Sequence, residues 1–407
     1  MNTVIEKKLF GVIADDFTGA SDAASFLVKS GNRVVMATSS HISNIKDCDC
    51  IVVALKIRSV KPEIAIEQVK EVLRLFNEHN VDKIYYKFCS TFDSTPQGNI
   101  GIVMDYLLET FNEKYTILVP SLPINGRTVK DGFLYVNGIL LSESSMKNHP
   151  LNPMWDSYIP NLMKPQSKYN CYLIDENNSD IINQIKDDKF YLVPNYENED
   201  DGIKIANKFR NLKVFGGGSG ILEYFCFNQI KECQYTDIQT KNEKAIIVCG
   251  SCSKNTALQI TKYKENNKTI KINSLELLEN KISANSLINI VEKNLPDVTL
   301  IYSDGIEKDM SDFSKHKKFS KISNLVEQLN ADICALAIKR GFNKIVVAGG
   351  ETSGAVILKM GYSSFVIGKS IAPGVPILIP IENSEVKLVL KSGNFGDEDF
   401  FEKAIRG

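Results

Sequence analysis

Two adjacent carboxylates followed by hydroxyls form the first chemical signal in the chain, Asp15-Asp16-Phe17-Thr18-Gly19-Ala20-Ser21-Asp22, directly after a short apolar run. One of Asp16, Thr18 or Ser21 is enough to cap a following helix. Two neighbouring acids exceed that need, because they repel unless a cation or a hydroxylated ligand compensates them. A second cluster, Lys87-Phe88-Cys89-Ser90-Thr91-Phe92-Asp93-Ser94-Thr95-Pro96-Gln97-Gly98-Asn99, gathers hydroxyls, a cation and a carboxylate able to grip a polyhydroxylated acid. Lys56-Ile57-Arg58-Ser59 adds two cations and so a local anion site, with ordinary surface charge as the plainer account.

The second half carries a different chemistry. Cys249-Gly250-Ser251-Cys252-Ser253, Gly349-Gly350-Glu351-Thr352-Ser353-Gly354 and Lys391-Ser392-Gly393-Asn394-Phe395-Gly396 are three small-residue loops. Glycine lets backbone approach phosphates, and a helix N-terminus supplies N–H donors, so three such loops favour a nucleotide cradle over unrelated turns. Other motif matches fail. Gly368-Lys369-Ser370 would need glycine at position 363 to end a phosphate-binding P-loop, and Ser363 stands there. The Cys249/Cys252 and Cys48/Cys50 pairs lack a second pair at zinc spacing, and Gly216-Gly217-Gly218-Ser219-Gly220 lacks the last glycine of a dinucleotide fingerprint. His149, in Asn148-His149-Pro150, reads equally as loop packing or as a substrate contact.

These loops need elements to hold them. Short apolar runs at 10–14, 33–38, 51–55, 84–88 and 116–120 read as buried strands, and apolar residues at helical spacing over 62–80 read as an amphipathic helix. Phe133 to Leu141, with Asn137-Gly138 at its centre, reads as a hairpin with a type I′ turn. Beyond a polar, aperiodic stretch at 224–243 the alternation resumes, with strands at 245–248, 299–302 and 344–348 and a long helix over 320–340. Strands alternating with helices imply an α/β fold: two α/β domains with mainly parallel sheets, over 1–225 and 243–407, and a catalytic cleft between them.

Composition narrows the function. At 407 residues, with 43% hydrophobic and 24% charged, the chain is a folded globular protein of two or more domains. Its 48 basic and 49 acidic residues give a net charge of −1, which supplies no field for nucleic acid or anionic lipid. Nine cysteines, an odd number scattered along the chain, read as reduced thiols in a cytoplasmic protein, and no apolar run reaches the roughly 20 residues of a membrane helix. The oligomeric state stays open, a homo-oligomer included.

Taken together the motifs resemble the four-carbon acid sugar kinases. The resemblance rests on Ala14 to Ala20, on Tyr86 to Gly101 in the form carried by the branch acting on 3-oxo-tetronate, and on Asn125-Gly126-Arg127-Thr128-Val129. It extends to Leu141-Ser142-Glu143-Ser144, Asn148-His149-Pro150-Leu151, the 349–354 loop, Ala372-Pro373-Gly374-Val375-Pro376 and the 391–396 loop. It implies an N-terminal acid-sugar-binding domain, a C-terminal nucleotide-binding domain, and ATP-dependent phosphorylation of the terminal hydroxyl of 3-oxo-tetronate to give the 4-phosphate. By the same resemblance ATP falls on Ser253, Gly350, Glu351, Thr352, Ser353 and Gly393, and the substrate on Asp15, Asp16, Arg58, Lys87, Ser90 and Asp93. The expected mechanism has Asp16 as the proton acceptor with Asp93 in reserve, Arg58 and Lys87 on the substrate carboxylate, and Mg²⁺ carried by the phosphates rather than by a protein cage. Alternatives are a D-threonate or D-erythronate 4-kinase and a non-catalytic nucleotide and sugar-acid sensor.

Overall fold

In the computed structural model, residues 8–39, 45, 47–148, 152–175, 178, 180–225, 235–236, 243–303 and 316–407 are described. His149, Pro150 and Leu151 and most of the 224–243 stretch lie outside them. The chain divides into two units, Met1–Gln234 and Tyr235–Gly407.

The first unit contributes β1 (Leu9–Ala14), β2 (Val34–Ala37), β3 (Cys50–Ala54), β4 (Val81–Lys87), β5 (Tyr115–Val119), β6 (Arg127–Lys130), β7 (Phe133–Val136), β8 (Ile139–Leu140), β9 (Asn170–Ile174), β10 (Phe190–Pro194) and β11 (Val214–Gly217). Eight of these form a parallel sheet in the order β2-β3-β1-β4-β11-β5-β10-β9. Its strands are nearly all apolar, as expected of a sheet covered on both faces. The helix Pro62–Glu78 lays Val69, Val72, Leu75 and Phe76 on it. Gly11 is required there: a Cβ at that position would lie 2.5 Å from the Phe76 ring.

Register matters more than order for the chemistry. Ala54 pairs with Ala14, Ala14 with Lys87, Lys87 with Gly217 and Gly217 with Val119, so five carboxyl ends stand in one row. Loops leaving that row share one edge, where α/β sheets bind ligands.

Two features depart from the sequence reading. The strand β11, ending in Gly216-Gly217, lies in the sheet interior where the sequence reading has no strand; a Cβ on Gly217 would come 2.2 Å from the Val119 carbonyl and one on Gly216 2.5 Å from Met104 Sδ. The hairpin forms, with Asn137 and Gly138 both at positive φ (51° and 77°), and it gains a partner in β6 to make a three-stranded antiparallel sheet.

The second unit contributes β12 (Ala245–Cys249), β13 (Lys268–Ile272), β14 (Thr299–Ser303), β15 (Lys344–Ala348), β16 (Ser364–Ala372), β17 (Val375–Pro380) and β18 (Lys387–Lys391). Their order is β13-β14-β12-β15-β18-β17-β16, parallel through β18 and antiparallel beyond it. Tyr302, Cys249, Ala348 and Lys391 again align in one row of carboxyl ends. The fold is mixed α/β with mainly parallel pairing.

Candidate functional site

In the first unit the row of strand ends delivers a charge cluster. Asp15 and Asp16 follow β1; the Asp16 carboxylate caps the helix Phe17–Lys29, accepting from Gly19 N–H at 2.7 Å and from the Thr18 hydroxyl at 2.9 Å. Arg58, after β3, grips Asp15 with Nε and Nη2, both at 2.9 Å. The same guanidinium stands 3.1 Å from Asp16 and 3.2 Å from Asp93. Asp93 also accepts from the Asn152 amide at 2.7 Å. It is aimed by Phe92, a buried residue forced to φ 50°, the kind of strained backbone that survives where surrounding packing demands it.

Arg58 therefore meets three carboxylates at once, where the sequence reading had it free for the substrate. Burial opposes its charge, but the three acids outweigh burial and hold the guanidinium well above its ordinary value. Among the acids the balance differs. Burial pushes Asp15 up despite its bidentate partner. For Asp16 burial acts in the same sense, yet Arg58, Lys87, the Gly19 N–H and the Thr18 hydroxyl prevail and hold it below the usual carboxylate range. The side-chain exposures are 1% for Asp15, 8% for Asp93 and 19% for Asp16, so Asp16 is the acid a ligand can reach most readily.

Lys87, buried at the end of β4, donates to the Phe88 carbonyl at 3.0 Å and lies 3.5 Å from Asp22, which accepts from Ser219 at 2.6 Å. Gly19 separates the two charge centres: a Cβ there would lie 2.4 Å from Asp16 Oδ1 and 3.3 Å from Lys87 Nζ. Ser90 is buried in the loop between Lys87 and Asp93. The structure thus brings together Asp15, Asp16, Arg58 and Asp93 by direct contact, with Lys87 beside them. Two residues of this edge, Asp22 and Arg127, were not singled out for chemistry by the sequence reading.

The second unit builds its site from closeness rather than charge. A Cβ on Gly250 would lie 2.2 Å from Thr352 Oγ1, one on Gly349 3.1 Å from Ser251 N, and one on Gly393 2.7 Å from Ser251 Oγ. Ser253 caps the helix Lys254–Lys264 and donates to the Gly393 carbonyl at 2.5 Å. By contrast the helix Gly350–Met360 starts at Gly349 with no side-chain cap, the kind of helix N-terminus that favours an anion. The Ser353 hydroxyl and both amide atoms of Asn330 are buried without a partner, beside these loops. A surface that only glycine can line, with unspent donors behind it, fits the phosphates of a nucleotide.

Lys391 ties this loop cluster down. It is fully buried and donates to Thr256 Oγ1 and the Gly393 carbonyl at 3.0 Å each and to the Phe395 carbonyl at 3.3 Å. Burial pulls its ammonium down to about 8. Nearby, burial pushes the Cys249 thiol up to about 12, which removes the Cys249/Cys252 pair as a reactive dithiol. Among the described residues no group of three or more His, Cys, Asp and Glu side chains is placed to hold a metal ion.

Two outcomes follow from the charge arrangement. Arg58→Met strands three carboxylates and is expected to destabilise by about 3–5 kcal/mol at neutral pH. Because those acids then bind protons more tightly folded than unfolded, the deficit should shrink as pH falls from about 7 to about 4; denaturant midpoints at both ends measure it, and a pH-independent deficit contradicts the cluster. For Lys391 the sign is opposite. Between about 8 and its ordinary 10.5 the unfolded chain keeps a proton that the folded chain has shed, so wild type should gain stability over Lys391→Met across that window, on the order of 3 kcal/mol. A constant difference would return the lysine to an ordinary value.

Comparison with known proteins agrees with two kinds of site. A sugar-binding N-terminal domain model matches residues 10–225 and a nucleotide-binding C-terminal domain model matches residues 246–401. The 3-oxo-tetronate kinase of Actinobacillus succinogenes is 37% identical, over 97% of this chain and 99% of its own length. That of Haemophilus influenzae is 36% identical over the same shares. A crystal structure from Salmonella typhimurium LT2, bearing the name of a tRNA synthase, superposes with a TM-score of 0.82 at 34% identity, over 97% of this chain and 98% of that one. With both domain models matched in order and likeness running the full length, this chain belongs to the four-carbon acid sugar kinase family.

Proposed function

We propose that the protein transfers the γ-phosphoryl group of ATP to the terminal hydroxyl of 3-oxo-tetronate, giving 3-oxo-tetronate 4-phosphate and ADP. The observation that carries this reading is full-length likeness to curated 3-oxo-tetronate kinases, at 33–37% identity among them. Residues 1–225 would bind the acid sugar and residues 243–407 the nucleotide. The balanced charge of the chain supplies no electrostatic footprint for a polyanion such as tRNA, and a cytoplasmic location suits a metabolic kinase of this kind.

Phosphoryl transfer asks for in-line positioning and neutralisation of charge, with a base that accepts the hydroxyl proton late. Asp16 takes that role in this reading. It is ionised at neutral pH, fixed at both oxygens and the most exposed of the clustered acids. Asp93 is the reserve, Asp15 and Arg58 hold the pair in register, and Lys87 and Ser90 complete the substrate edge. In the second unit Ser253, Gly350, Glu351, Thr352, Ser353 and Gly393 would cradle the phosphates. Mg²⁺ would arrive on those phosphates, largely through water, and supply charge neutralisation there.

An assay of ADP release with ATP, Mg²⁺ and a panel of four-carbon acids tests the substrate. The expected order places 3-oxo-tetronate first; faster turnover of D-threonate or D-erythronate keeps the kinase and discards the substrate. Nucleotide binding without turnover of any acid would point to a sensor. Asp16→Asn should lower kcat by about 10²- to 10⁴-fold with little change in KM. A near-normal kcat moves the proton to Asp93.

A further inference from the structure

Among the described residues of the first unit, one buried cation has no acid within ion-pair distance. Arg58 is met by three carboxylates and Lys87 by Asp22 and a carbonyl. Arg127, only 7% exposed, differs from both. Its Nη1 donates to the Asn125 carbonyl, its Nε has no partner, and no carboxylate lies within ion-pair distance of it among the described residues. Burying a guanidinium without an anion is costly, and such a group persists where a ligand brings the missing charge.

The fold holds this side chain in place deliberately. Arg127 opens β6, and its backbone exchanges two hydrogen bonds with Leu122, at 2.9 and 3.1 Å, three residues beyond the end of β5. Gly126 before it is at φ 72°, with the Asn137 side chain from the hairpin turn occupying the space a Cβ would need. The β5 end pairs in register with Gly217, which pairs with Lys87, which pairs with Ala14. The loop carrying Arg127 therefore leaves the same row as the loops carrying Asp15, Asp16 and Lys87. The guanidinium lies within electrostatic range of Asp22, the partner of Lys87, and of Cys89, in the loop that carries Ser90 and Asp93.

Unspent polar atoms gather on the same elements. Besides Arg127 Nε, the buried Asn125 Nδ2, Ser121 Oγ and Asp22 Oδ1 have no partner. Two are donors, one is a hydroxyl, and one is a carboxylate oxygen. A ligand ending in a carboxylate beside a hydroxylated carbon satisfies this set: its planar anion matches the arginine fork and the amide, and its hydroxyl can donate to an acceptor. We propose that Arg127 is the anchor for the carboxylate of the acid-sugar substrate and the residue that makes the site select acids over neutral sugars. The proposal rests on the four-carbon acid reading above and sharpens it, since it moves carboxylate recognition from Arg58, whose charge is already taken, to Arg127.

The test compares wild type, Arg127→Gln and Arg127→Lys as full chains, at saturating ATP. The acceptors are 3-oxo-tetronate and erythrulose, the uncharged ketose in which CH₂OH replaces the carboxylate. Wild type should favour the acid in kcat/KM by about 100-fold or more. In Arg127→Gln the KM for the acid should rise by about 100-fold while turnover of erythrulose and the KM for ATP stay within about threefold, so that discrimination collapses. Arg127→Lys, a point charge without the fork, should fall between them. A second readout is the melting temperature without ligand. Arg127→Gln should melt no lower than wild type, because relief of an unpaired buried charge offsets loss of its hydrogen bond to the Asn125 carbonyl. Unchanged KM for the acid in a discriminating wild type, equal losses on acid and ketose, or a variant that fails to fold would each overturn the proposal. A wild type that turns over no four-carbon acid overturns the functional reading itself, an outcome distinct from all three.

Discussion

One guanidinium organises the sugar-binding unit. Asp15, Asp16 and Asp93 leave the ends of two different strands and converge within hydrogen-bonding distance of Arg58, which comes from a third. Without that cation, three acids packed so closely would repel or take up protons. With it, Asp15 can be almost fully buried, Asp93 can be oriented through its other oxygen by Asn152, and Asp16 is left charged and accessible. The convergence is possible only because the parallel register puts Ala54, Ala14 and Lys87 side by side. A one-residue slip would reverse the facing of a whole strand and scatter the loops that the charges connect.

The nucleotide unit solves a comparable problem by other means. Its strand ends are also in register, but the loops that follow are held together by glycines too close for side chains and by hydroxyls shared among Ser251, Ser253 and Thr256. Lys391 lies at the centre as a donor to carbonyls, with no acid within ion-pair distance among the described residues, and its depressed affinity for a proton is the cost of that position. The contrast suits the two ligands. A hydroxylated acid needs few, well-aimed charges, whereas a polyphosphate needs backbone N–H groups brought near.

Much of this was legible in the sequence. The parallel strands read from short apolar runs fall within a residue of those found, except β4, which begins three residues earlier at Val81, while β9, β10, β13 and the β16–β18 strands gave no such run clear enough to read. Asn137-Gly138 declared a hairpin for an equally local reason, two positive φ values. What stayed hidden depended on distant contacts. Gly216 and Gly217 gave no strand signal because the constraint on them, the Val119 carbonyl and the Met104 sulfur, comes from elsewhere in the chain. Arg58 looked like a free cation because its three partners are spread over 78 positions of sequence, 15 to 93. Arg127 stood out only as one letter of the Asn125 to Val129 motif, because burial of a charge leaves no trace in spacing.

The distribution of exposure among the acids bears on the chemistry in a way that their number does not. Asp15 and Asp16 are sequence neighbours under the same arginine, yet burial wins for the first and charge for the second. A base held below the ordinary carboxylate range is a poor choice for abstracting a proton early. It is adequate for a reaction whose transition state is loose, in which the attacking oxygen acquires acidity only as its bond to phosphorus forms. The electrostatics of Asp16 thus suit phosphoryl transfer better than they would suit enolisation of a keto acid, which needs a base with a proton affinity raised toward neutrality. The same arginine that makes the cluster stable therefore also restricts the class of reaction it can serve.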